Sequence, residues 1–127
     1  CEIKKLLLEG GEFMEDCIFC KIIKGEIPSK KVYEDEKVYA FYDISPEAPI
    51  HFLVIPKEHI ESANALKEEN ASVVAHIFLV INKLVSELGI AEKGYRIVNN
   101  TGNDGGQTVH HMHFHVLGGR SLNWPPG

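Results

Sequence analysis

The chain has 127 residues and a formal net charge of −5, with 44% apolar and 24% charged residues. That length suits one domain with a small core, and the composition is that of an ordinary globular protein. The acidic balance disfavours non-specific binding to DNA or RNA, which needs a basic face, but it leaves room for a locally positive site that takes a small anion.

Residues 1–13 show no periodicity. The run Glu9-Gly10-Gly11-Glu12-Phe13-Met14 reads as a translated ribosome-binding site and start codon. We expect residues 1–13 to be a non-native or disordered extension and residues 14–127 to form a single domain. Lys4-Lys5-Leu6-Leu7-Leu8 is too short for a signal peptide, and no apolar run reaches the length of a membrane span. The expectation is a cytoplasmic protein with neither nucleic acid nor membrane as partner.

Cys17 to Lys24 predicts a short helix, with Ile18, Phe19, Ile22 and Ile23 at helical spacing and Gly25 as its stop. Lys31 to Glu34 and Val38 to Asp43 read as strands joined by the charged turn Asp35-Glu36-Lys37. After the rigid loop Ser45 to Pro49, His51 to Ile55 is an apolar strand closed by Pro56. Ala71 to Leu88 is the main helix, with Val73, Val74, Ile77, Phe78, Ile81, Leu84, Val85 and Leu88 on one stripe and Gly89 at its end. Tyr95 to Asn99 and Val109 to Leu117 are the last strands, separated by a Gly/Asn/Asp loop. The fold class is therefore α+β, an antiparallel sheet with one long and one short helix.

The segment His110-His111-Met112-His113-Phe114-His115-Val116 carries the strongest chemical signal. Alternation in a strand puts His111, His113 and His115 on one face and Met112, Phe114 and Val116 on the other. Three imidazoles in register suit either a metal site or nucleophilic catalysis, since imidazole is largely unprotonated near neutral pH. The preceding loop, Asn100 to Thr108, favours the second. Its glycines let a ligand approach main-chain N–H groups, and Asn100, Gln107 and Thr108 add side-chain donors for an anionic oxygen. His59 and His76 read as ordinary surface or helix residues.

Cys17-Ile18-Phe19-Cys20 has the spacing of half a zinc site. Too few cysteines are present for a disulfide framework, and the pair reads as metal-binding or redox. Alternatively, both are small buried thiols.

His111-x-His113-x-His115 resembles the motif of the histidine-triad (HIT) nucleotide-binding proteins. Ile18-Phe19, Asp43-Ile44-Ser45-Pro46, His51 to Lys57 and Gly105-Gly106-Gln107 are similar to that family too. The ending Gly118-Gly119-Arg120 with Trp124-Pro125-Pro126-Gly127 resembles its Hint branch. The likeness runs from about Cys17 to Gly127. It implies a homodimer that binds purine nucleoside monophosphates and hydrolyses their phosphoramidates, with His113 as nucleophile and His111, His115 and Thr108 completing the catalytic set. It also implies that Asp43 holds the ribose hydroxyls, a role suited to a carboxylate acceptor. Ile18, Phe19, Ile22, Ile27, Phe41, Ile44 and Leu53 would form a slot for the base. Asn100, Gly106, Thr108 and His115 would contact the phosphate, and Trp124 would lie near the leaving group. Related zinc-binding members imply a structural zinc on Cys17, Cys20, His51 and His111; the chemistry itself would need no cofactor. Competing readings are a dinucleoside polyphosphate hydrolase or nucleotidyltransferase, a nucleotide-sensing module with incidental hydrolysis, and a metalloenzyme using the three histidines as ligands.

Overall fold

The structure, a computed structural model, describes residues 16–127. The expected extension over residues 1–13 and the start at Met14 lie outside the described residues. Helix α1 (Ile18–Ile23) leads to strands β1 (Lys31–Glu34), β2 (Val38–Tyr42) and β3 (Ile50–Pro56). Helix α2 (Ser72–Glu87) follows, and then strands β4 (Tyr95–Val98) and β5 (Phe114–Gly118). The strands form one sheet in the order β1-β2-β3-β5-β4, antiparallel at every pairing. The α+β expectation holds. Among the described residues no helix is long and apolar enough to cross a membrane.

Both helices end in the same way. Gly25 and Gly89 adopt positive φ, which glycine tolerates without a Cβ clash. The N–H groups of Glu26 and Ile90 then close back onto the carbonyls of Lys21 and Val85, a Schellman turn. Ile90 is driven into the core by that closure.

The sheet separates two cores. Val38, Ala40, Phe52, Val54, Met112, Phe114 and Val116 pack with Ile77, Val80, Ile81, Leu84 and Val85 of α2. Tyr39, Phe41, Leu53 and Ile55 face the other way and pack with Cys17, Phe19, Cys20 and Ile22 around α1. The registers of β2 with β3 and β3 with β5 keep even-numbered residues on the α2 side throughout, as the two-residue period of a strand requires. On α2 the buried face includes Val80, which the stripe omitted, whereas Phe78 is 43% exposed and meets Phe114 edge-on at a ring-centroid distance of 5.8 Å.

Strand β5 starts later than expected, at Phe114 rather than Val109. The backbone before it bonds elsewhere. Met112 N–H donates to the Ile60 carbonyl, at 2.6 Å. The His111 carbonyl accepts from the His113 ring and the His113 carbonyl from the Asn99 amide. Side chains thus occupy carbonyls that a ladder would otherwise use. The expected division of faces survives: Met112, Phe114 and Val116 enter the α2-side core, and His111 and His113 lie against Phe19 on the α1 side.

Candidate active site

His113 is 4% exposed. Its Nδ1 lies 2.7 Å from the His111 carbonyl oxygen. A carbonyl only accepts, so Nδ1 carries the proton and Nε2 keeps its lone pair. Burial holds the imidazole pKa below its ordinary 6.5, against the bond to His111 and the charge of Asp43, which raise it. The ring sits edge-on to Phe19 at 5.1 Å and to His115 at 5.1 Å. Asn99 fixes the backbone here: its Nδ2 donates to the His113 carbonyl at 2.9 Å, and Thr101 Oγ1 donates to Asn99 Oδ1 at 3.0 Å.

His115 belongs to a different chain of bonds. His51 and His115 are diagonal neighbours on one face of the β3–β5 pair. His51 Nδ1 accepts the Glu47 backbone N–H at 3.0 Å. A neutral His51 therefore carries its proton on Nε2, which lies 3.0 Å from His115 Nδ1. His115 must accept there, and its own proton sits on Nε2 as a donor. Burial, with His113 and His51 adding to it, pushes the His115 pKa down to about 4. His51 Nε2 is also 3.5 Å from Asp43 Oδ2. Because Nδ1 accepts, this contact is a long approach to a neutral ring rather than an ion pair. Asp43 Oδ1 accepts from Ser45 N–H at 2.8 Å.

The loop after β4 turns through Gly102 and Gly106 at positive φ. A Cβ at Gly105 would stand 2.4 Å from the Thr101 carbonyl oxygen, so that position admits only glycine. Gln107, expected among the side-chain donors for an anion, is spent on the loop itself. Its Nε2 donates to the carbonyls of Glu61 and Val109, and its Oε1 accepts from Gly102 N–H. Thr108 and Gly106 remain exposed.

A second cluster joins the ends of α1 and β3. The ligand atoms of Cys17, Cys20, His59 and His111 all lie within 4.8 Å of one another. Cys17 Sγ is 3.3 Å and Cys20 Sγ 3.7 Å from His111 Nδ1, and Cys20 Sγ is 3.4 Å from His59 Nδ1. His111 Nε2 donates to the Pro56 carbonyl at 2.8 Å, which leaves Nδ1 unprotonated toward the sulfurs, the orientation a carbonyl partner imposes on a metal-binding histidine. Burial lowers the His111 pKa to about 3 and lowers that of His59. Two sulfurs and two imidazoles at these separations fit a tetrahedral zinc, whose four protein ligands would close the shell.

His59, and not the expected His51, stands with Cys17, Cys20 and His111 in this cluster; His51 lies with Asp43 and His115. The register sets His51 opposite Leu117 and Val54 opposite Phe114, so the stretch just past Pro56 approaches His111. His51 stands five residues from Pro56 along β3, roughly 16 Å at strand rise.

Residues 24–122 match the HIT domain family. The chain belongs to the HIT family. A 14 kDa zinc-binding protein from Zea mays is 48% identical over 112 residues, 87% of each chain. A HIT family hydrolase from Legionella pneumophila superposes with a TM-score of 0.86 at 47% identity, covering 88% of this chain and all of that one. A histidine triad nucleotide-binding protein from Candida albicans gives 0.73 at 37% identity, covering 87% and 83%.

The HIT motif residues do not form one open pocket. Phe19, Ile22, Phe41 and Leu53 are 5–8% exposed and pack together, with Ile27 at their margin. They are the floor beneath the histidines rather than an open slot. Asp43 and Ile44 line a cleft of about 660 Å³ with His51. Ile18 and Thr108 line another of about 760 Å³, beside His59. Ile44 is 95% exposed and Trp124 80%. Asn100 is half-buried. Sequence reasoning passed over Asn99 and His59; neither sits in the triad motif, and only the pairing of β3 with β5 brings His59 to the cysteines.

Proposed function

We propose that the chain is a purine nucleoside phosphoramidate hydrolase working through a nucleotidyl-histidine at His113. The observation that carries this reading is the 2.7 Å bond from His113 Nδ1–H to the His111 carbonyl, which presents an unprotonated Nε2 as nucleophile. Nε2 attacks the phosphorus, forming a P–N bond as the bond to the amine breaks. The cationic ring that results is stabilised through Nδ1–H by the His111 carbonyl. The leaving nitrogen takes its proton from solvent, and as the P–N bond to it breaks, its developing lone pair accepts a hydrogen bond from the Nε2–H of His115. Water then attacks the phosphorus, loses its proton to solvent, and releases His113 as a neutral imidazole. Gly106, Thr108 and Asn100 would hold the phosphate oxygens and Asp43 the ribose, while the base would lie against Ile18, Ile27 and Ile44 above the buried floor of Phe19, Ile22, Phe41 and Leu53. The names of the Legionella and Candida relatives support hydrolysis and nucleotide binding.

In this reading zinc is structural, held by Cys17, Cys20, His59 and His111 and joining α1 to the residue that supports the nucleophile. The zinc-binding name of the maize relative supports it. The chain would work as a homodimer, with β4, the free edge strand beside β5, and the exposed Phe78 and Leu79 meeting a second copy. Trp124 would then reach the leaving-group side across the interface.

Rapid quench of wild type and His113→Ala with an adenosine phosphoramidate, followed by intact-mass analysis, tests the mechanism. One nucleoside monophosphate adduct should appear on wild type alone, and turnover should fall at least about 10³-fold in the variant. Turnover retained by His113→Ala would sink the assignment. Tight binding of AMP without turnover by wild type would point to a sensing module instead.

A further inference from the structure

The tautomer of His115 is fixed from a distance. Its Nδ1 accepts because His51 Nε2 carries a proton, and His51 does so because the Glu47 N–H occupies its Nδ1. The orientation of Glu47 therefore decides which nitrogen of His115 faces the reaction. Glu47 lies in the exposed loop between β2 and β3, where a main chain would ordinarily drift. One side chain grips it. Arg120 Nη2 donates to the Glu47 carbonyl at 2.8 Å, and Arg120 Nη1 donates to the Ser121 carbonyl at 2.9 Å. The adjoining turn lies flat on the same loop: Gly119 has φ +94°, and a Cβ there would stand 2.9 Å from Pro49 Cβ. Arg120 lies two residues past the end of β5, the strand that carries His115. Strand β5 thus supplies the histidine, and the turn that leaves it supplies, five residues on, the guanidinium that holds Glu47.

We infer that Arg120 is a positioning residue, holding Glu47 so that its N–H locks His51 and, through it, holds His115 as the Nε2–H donor. The link to catalysis rests on the phosphoramidate reading; the link to the tautomer does not. If Arg120 is lost, Glu47 is freed, the bond to His51 Nδ1 is broken part of the time, and His115 samples the Nδ1–H form, which offers no hydrogen bond to a departing amine. The need for that bond depends on the leaving group. An alkylamine leaves with a localised lone pair that the Nε2–H can meet, whereas a nitrophenolate disperses its charge over the ring.

The test uses the full chain with ¹⁵N-labelled histidine. Long-range ¹H–¹⁵N spectra at neutral pH should show His115 as the Nε2–H tautomer in wild type and as a mixture in Arg120→Met, with Arg120→Lys restoring much of the wild-type pattern. In parallel, kcat for an adenosine alkyl phosphoramidate should fall about three- to tenfold in Arg120→Met, the size expected for the loss of one ordinary hydrogen bond. KM and kcat for a nitrophenyl ester of AMP should change less than about twofold. An unaltered His115 tautomer in Arg120→Met would overturn the inference, as would an equal loss on both substrates. Failure of wild type to turn over the phosphoramidate would sink the proposed activity instead, with the tautomer comparison still deciding the role of Arg120.

Discussion

His111 and His115 are four positions apart and answer to different partners. The His111 ring turns its Nδ1 to two sulfurs while its carbonyl holds the proton of His113. The His115 ring takes its orientation from β3. Alternation along a strand is enough to place His111, His113 and His115 on one face, so the nucleophile and its two neighbours are legible in the sequence. The division between a metal cluster and a hydrogen-bond donor is not, because it depends on which end of β3 each imidazole meets. The same ignorance of register makes His51 look like a zinc ligand and His59 look like surface. With the proposed zinc, reduced wild type should bind one ion per chain. In competition with a chromogenic chelator, His59→Ala should weaken zinc affinity by more than about a hundredfold, beyond the usual cost of an outer-shell change. His51→Ala should leave zinc affinity within a few-fold of wild type while lowering turnover. The reverse pattern would restore His51 to the metal.

At the level of elements, the β1–β2 turn and α2 are joined by one carboxylate. Asp35 Oδ2 lies 2.7 Å from His76 Nε2 and accepts from Tyr33 OH at 2.9 Å. Its Oδ1 accepts the N–H groups of Lys37 and Val38. Burial alone would raise the Asp35 pKa, but His76, the two N–H groups and Tyr33 outweigh it and bring it from 3.8 to about 2. A depressed carboxyl pKa contributes stability above its unfolded value, and that contribution is lost as pH falls from about 4 toward 2. Asp35→Asn should therefore lower stability by about 1–2 kcal/mol at pH 7, and the gap from wild type should narrow by pH 2.5, both read from urea unfolding. A gap independent of pH would mean that the carboxylate charge contributes nothing. The charged turn is evident in Asp35-Glu36-Lys37, and the helix in its apolar stripe. What joins them is not, since His76 on a helix surface gives no sign of a partner 41 residues away. The late start of β5 escapes sequence reasoning for a related reason: the side chains of Asn99 and His113 take carbonyls that periodicity assigns to a ladder.

For the molecule as a whole, the alternation of helix and strand signals is enough to read an α+β fold with an antiparallel sheet, but not the strand order, in which β5 inserts between β3 and β4. Assembly is the next level. In the proposed homodimer Phe78 and Leu79 are covered by a second copy, so Phe78→Asp should shift the sedimentation of a folded dimer toward monomer, with the unfolding midpoint then falling as protein is diluted. A wild type that sediments as a monomer at micromolar concentration would remove the dimer from the proposal. The parity of the central strands reaches further. Positions 38, 40, 52, 54, 112, 114 and 116 face α2, while 39, 41, 53, 55 and the reactive histidines face α1. One sheet therefore acts as a firewall between two kinds of selection. Sequence drift or deliberate redesign can rework the even-numbered layer for thermal tolerance while the odd-numbered layer keeps its chemistry, and new specificities can be sought on the odd side without dismantling the scaffold beneath.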